Sequence, residues 1–109
     1  PGMKYKPYSP RAEVYIVNAH GDRFRDWCLA HSAEDTLALS ADSHEHGMFR
    51  CFGSNVQEQA HRLFALLREA DEEGAAKVYV EMPSKDGIGL AVYNRLLRAA
   101  AFRVIETDE

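Results

Sequence analysis

Apolar positions follow two spacings along this chain, and each change of spacing marks an element. Residues 12–18, Ala-Glu-Val-Tyr-Ile-Val-Asn, hold a β-branched and aromatic run that predicts a strand. The run is nearly continuous in apolarity, the pattern of a strand covered on both faces. Gly21-Asp22 opens a helix, with Asp22 as the expected N-cap and Phe24, Trp27, Cys28 and His31 following at helical spacing. Residues 36–40 predict a short strand, residues 42–47 a polar loop, and residues 48–52 a further short strand.

The longest periodic segment spans residues 56–73. Val56, Ala60, Leu63, Phe64, Leu67 and Ala70 recur on one helical face. Ser54 or Asn55 can cap it, since Gln57 and Glu58 stand three residues further on at the capping-box spacing, and Gly74 suits the C′ position. Residues 77–82 read as a strand halted by Pro83. A helix follows from Gly87 to about Ala101, with a wide apolar face of Ile88, Leu90, Val92, Tyr93, Leu96 and Leu97, and residues 102–106 read as a last strand. The order is β-α-β-β-α-β-α-β. Strands separated by helices require crossovers, so the expected fold is α/β: a Rossmann-like three-layer α/β/α sandwich with a mainly parallel sheet.

The front of the chain differs. Residues 1–10, Pro-Gly-Met-Lys-Tyr-Lys-Pro-Tyr-Ser-Pro, contain three of the four prolines, which predicts an extended connector. Residues 1–11 are therefore read as a linker and residues 12–109 as one domain. At 109 residues the chain can bury a modest core without metal or disulfide support. A net charge of −4 argues against a non-specific nucleic-acid surface, which needs a clustered basic face. Two cysteines, Cys28 and Cys51, suit a reduced compartment and a cytoplasmic setting better than a secreted one. No apolar run approaches the roughly 20 residues of a membrane span, so no membrane partner is expected.

Four groups of residues carry candidate chemistry. His44 and His46, with His20, His31, His61 and the two cysteines, supply metal-ligand types, but no C-x-x-C or H-x-x-x-H pair sets two of them on one element, and a polar surface loop is the better reading. Cys28 and His31 lie one helical turn apart, yet a thiol among Phe24, Trp27 and Leu29 is expected to be buried and inert. Gly87 and Gly89 stand between a strand and a helix, where backbone N–H groups suit an anion or nucleotide. The turn matches neither G-x-G-x-x-G nor a P-loop, and glycine can equally serve close packing. Asn94 and Arg95, with Arg98, form a polar stripe that suits solvent or a domain contact. These groups do not join into a nucleophile–base–orienter set, so no catalytic residue is assigned.

Two segments carry a resemblance. Pro1 to Pro10 resembles the interdomain linker of long-form threonylcarbamoyl-AMP synthases, whose pattern is roughly P-G-M-[KR]-Y-x-H-Y-[AS]-P, with Pro7 where that family usually has histidine. Asp86 to Ala100 resembles the family's G-L-G-x-A-x-x-N-R-L-x-[KR]-A-A segment, and Leu67-Arg68-Glu69-Ala70-Asp71 looks like its L-R-x-x-D stretch.

The resemblance implies an accessory C-terminal domain. The family's enzymes condense threonine, bicarbonate and ATP into threonylcarbamoyl-AMP with release of pyrophosphate, for tRNA modification. Catalysis, ATP and magnesium belong there to a YrdC-like domain, in the same parent chain or separate. The present chain alone is then inactive and holds no cofactor. By motif match, Met3, Lys4, Tyr5 and Tyr8 would lie over that domain's active site. The competing expectation is an independent Rossmann-like module that binds a nucleotide or other small ligand at the sheet's carboxyl edge.

Overall fold

Alternation along each strand and the 3.6-residue period of each helix decide which side chains meet across the layers. The computed structural model describes residues 9–41 and 47–107. Its elements are β1 (Glu13–Asn18), α1 (Gly21–Ala30), β2 (Thr36–Ser40), β3 (Phe49–Cys51), α2 (Val56–Glu73), β4 (Lys77–Glu81), α3 (Ile88–Ala99) and β5 (Val104–Glu106). The strands form one sheet in the order β3-β2-β4-β1-β5, and every pairing is parallel.

The connection from β1 to β2 crosses β4 in one direction, whereas β3 to β4 and β4 to β5 run in the other. Right-handed crossovers that reverse direction must place their helices on opposite faces. Burial follows that rule. Val14, Ile16, Leu39, Val78 and Val80 pack with Leu63 and Leu67 of α2 and Leu96 of α3. Val17, Ala38 and Tyr79 pack on the other face with Phe24 and Cys28 of α1. Successive residues of β1 thus enter different layers, which is why that run is apolar throughout. The three-layer sandwich with a parallel sheet is the architecture the periodicity predicts.

Element ends differ from expectation where side chains or strain intervene. Asp22 is not the cap of α1. The N-cap is His20, without a side-chain cap bond, and Asp22 sits in the first turn, 3.2 Å from Arg25. Gly21 takes φ 57°, a left-handed entry that glycine allows. Asn55 does cap α2, its side chain accepting from the N–H groups of Gln57 and Glu58. On α2, Gln59 and Leu66 join the buried face, whereas Val56 and Ala60 are only half-buried.

The last strand is shorter than predicted because α3 ends in two left-handed residues, Ala101 at φ 51° and Phe102 at φ 63°. The N–H of Phe102 donates to the Leu97 carbonyl at 2.8 Å, closing the helix in the manner of a Schellman turn on non-glycine residues. Ile88 and Leu90, expected in the apolar face of α3, are exposed. No helix among the described residues is long and apolar enough to cross a membrane.

Candidate functional site at the carboxyl edge

An open parallel sheet takes its ligands beyond the carboxyl ends of its strands, at the point where neighbouring connections leave for opposite faces. Here that point lies between β1 and β4. These strands are adjacent, β1 leads into α1 on one face, and β4 leads toward α3 on the other.

The crevice holds Glu81, the last residue of β4 and only 4% exposed. Its Oε2 accepts from the Gly21 N–H at 3.0 Å, at the start of α1, and lies 3.7 Å from His20 Nδ1. Its Oε1 accepts from the Ser40 hydroxyl at 3.0 Å and the Ala41 N–H at 2.9 Å, both from the end of β2. Since β4 lies between β2 and β1, one carboxylate ties the ends of three adjacent strands. A helix N-terminus and free loop amides are what such folds offer to a phosphate. In this chain those donors serve the protein's own anion.

Glu81 was not singled out by sequence reasoning. The available signal was a lone charge closing an otherwise apolar strand just before Pro83. Cys28 lies on the same side, fully buried. Burial pushes its thiol up to about 12, with the negative charge of Glu81 adding to the effect. Such a thiol is no nucleophile at neutral pH. His31 does not form the suggested pair with it: its ring stacks on Trp27 at 4.0 Å, with Nδ1 2.8 Å from the Trp27 carbonyl oxygen. Neither cysteine forms a disulfide.

The glycine turn before α3 folds onto itself. The N–H of Gly89 donates to the Asp86 carbonyl at 2.9 Å and that of Leu90 to the Gly87 carbonyl at 3.0 Å. Gly87 needs its freedom at φ 55°. Gly89 is required by space, because a Cβ there would stand 2.4 Å from the Ser84 carbonyl oxygen. Of the polar stripe, Asn94 and Arg95 are exposed, and the Arg95 guanidinium lies 3.8 Å over the Phe64 ring, capping the seam between α2 and α3. Among the described residues, no group of three or more His, Cys, Asp or Glu side chains could hold a metal ion. His44, His46, Met3, Lys4, Tyr5 and Tyr8 lie outside the described residues.

Comparison with known proteins agrees with this architecture and names it. A curated threonylcarbamoyl-AMP synthase from Pyrococcus abyssi is 34% identical over 112 aligned positions, covering 97% of this chain and 33% of that protein. The chain thus spans about a third of the length of that relative. A crystal structure of Sua5 from Pyrococcus abyssi, complexed with L-threonine, superposes with a TM-score of 0.79 at 32% identity, covering 99% of this chain and 34% of that one. A crystal structure of a C-terminal Sua5 domain from Pyrococcus horikoshii gives a TM-score of 0.67 at 27% identity and is covered over its whole length. The family profile described as threonylcarbamoyl-AMP synthase, C-terminal domain, matches residues 1–101. With the match running from the proline-rich strip through the parallel sheet to the last helix, the chain belongs to the family of threonylcarbamoyl-AMP synthase C-terminal domains.

Proposed function

We propose that this chain is the non-catalytic accessory part of a threonylcarbamoyl-AMP synthase. Residues 1–11 lie over the active site of a YrdC-like catalytic domain, and residues 12–109 anchor them. That partner domain condenses ATP, threonine and bicarbonate and releases pyrophosphate for tRNA modification in the cytoplasm. A strip stiffened by proline and carrying Tyr5 and Tyr8 can cover a nucleotide pocket and exclude water, as catalytic lids do. Met3 and Lys4 belong to the same strip, with Lys4 suited to an anionic ligand.

The observation that carries the reading is Glu81. At the crevice where an independent nucleotide-binding module would take phosphate, the donors from Gly21, Ser40 and Ala41 are spent on an internal carboxylate. The residues at this edge do not fit a nucleotide phosphate, so ATP and magnesium are assigned to the catalytic partner and no step is placed here. A net charge of −4 likewise supports a protein partner over direct tRNA contact.

Titration calorimetry of this chain with ATP, GTP and AMP tests the assignment. No heat of binding is expected at millimolar nucleotide. Micromolar binding of any of them would return the sheet edge to the independent-module reading.

A further inference from the structure

Among the described residues four large apolar side chains are exposed: Leu29 at 55%, Ile88 at 55%, Leu90 at 45% and Phe102 at 69%. A single exposed apolar residue is ordinary. Three of these four, however, lie on α3 or just past its end, whereas Leu29 is the only one on α1. Leu90, Asn94 and Arg98 recur at every fourth position and so form one row on the outer side of α3, with Phe102 next in step beyond the helix end. All four are exposed, whereas Val92, Leu96 and Ala99 on the inner side are buried. Leu90 and Arg98 stand about 12 Å apart along the axis. The row is thus apolar at both ends and polar between them.

Phe102 is held in its exposed position. A φ of 63° is unusual for a bulky residue, yet hydrogen bonds fix the backbone there. The N–H of Phe102 donates to the Leu97 carbonyl at 2.8 Å, and that of Arg103 to the Ala100 carbonyl at 3.0 Å. An aromatic ring on so fixed a backbone loses little freedom on contact, which suits a binding anchor. Between the apolar ends, Asn94 and Arg98 have no side-chain hydrogen bond or ion pair among the described residues. The helix carries two arginines and no acid, in a chain of net charge −4. A complementary surface offers an apolar hollow at each end and a carboxylate opposite Arg98.

We propose that the row Leu90, Asn94, Arg98 and Phe102 is the face on which this domain docks against the body of the YrdC-like catalytic domain. The proposal rests on the function given above and names the surface through which it works. Size supports this occupant. The chain covers 33% of the Pyrococcus abyssi relative, and the matching profile describes a C-terminal domain. The remaining two-thirds of such a relative is a body about twice as large as this domain, ahead of it on the same chain. A tethered neighbour is present at high effective concentration, so one helix row is enough contact to hold it.

The test compares the chain alone with the chain joined behind a YrdC-like catalytic domain, using carbene labelling from a photoactivated diazirine read by mass spectrometry. In the joined protein, labelling at Leu90 and Phe102 is expected to fall several-fold. Leu29, on the opposite face of the sheet, is expected to label equally in both. Arg98→Glu in the joined protein is expected to return Leu90 and Phe102 to the level of the chain alone. Equal labelling of those two residues in both proteins overturns the proposal, and so does protection of Leu29 in their place. Protection that Arg98→Glu leaves intact removes the carboxylate from the partner and overturns it as well. Protection that appears only on adding tRNA assigns the row to nucleic acid instead. Pyrophosphate release by the same samples separates this idea from the function it rests on. If joining the chain raises release above that of the catalytic domain alone while the labels stay unchanged, the docking face falls and the accessory function stands. If the labels fall while release does not rise, the accessory function falls and the docking face stands.

Discussion

At the scale of single residues, the decisive positions are those whose environment comes from elsewhere in the chain. Gly89 is one. Its missing side chain leaves room for the Ser84 carbonyl, at a distance where a Cβ would stand 2.4 Å away. Backbone cannot swing aside as a flexible side chain can. Gly89→Ala is expected to lower stability by about 1–3 kcal/mol, the usual range for overpacking. Urea denaturation measures it, and an unchanged midpoint would mean that the loop yields freely. The tight approach was legible in the sequence as a glycine between a strand and a helix, though the contact is with the loop's own carbonyl. Glu81 was not legible in the same way. Pattern gives the face on which a residue lies, but it does not give the partners that register and topology bring to it. Ala101 and Phe102 failed for the opposite reason. Neither residue type announces a left-handed turn, and Phe-Arg-Val-Ile reads as strand, so the strand was drawn two residues too long at its start.

At the scale of elements, α2, with strong local signals at both ends, matched expectation there, and α1, without them, did not. α2 has its cap at Asn55 and its stop at Gly74, with φ 82°, and both were readable from residue type. α1 was assigned a cap at Asp22, yet its start is set by a tertiary bond from the Gly21 N–H to Glu81. Local capping rules do not reach such a case, because the acceptor is contributed by a strand about sixty residues later. Glu81→Gln tests the element-level role. An amide has one acceptor oxygen, so its NH₂ would have to face either the Gly21 N–H or the Ser40 and Ala41 donors. A loss of about 1–3 kcal/mol is expected, the cost of stranding buried polar groups, with faster exchange of the Gly21 amide. Full retention of stability and of Gly21 protection would contradict the account of how α1 begins.

At the scale of the whole molecule, the topology was legible and the use of its edge was not. Helix–strand alternation implied a parallel sheet covered on both faces, and the order β3-β2-β4-β1-β5 supplies it. That order also creates a crevice between β1 and β4, and topology alone would make it a ligand site. The chain closes the crevice with its own carboxylate. On the function proposed above, the front strip is the part that acts and the sandwich is its mount. Joined behind a YrdC-like catalytic domain, residues 1–109 can be compared with residues 12–109 for pyrophosphate release dependent on ATP and threonine. The account predicts turnover with the strip present and a several-fold lower kcat/KM without it. Equal turnover by the two proteins would contradict it.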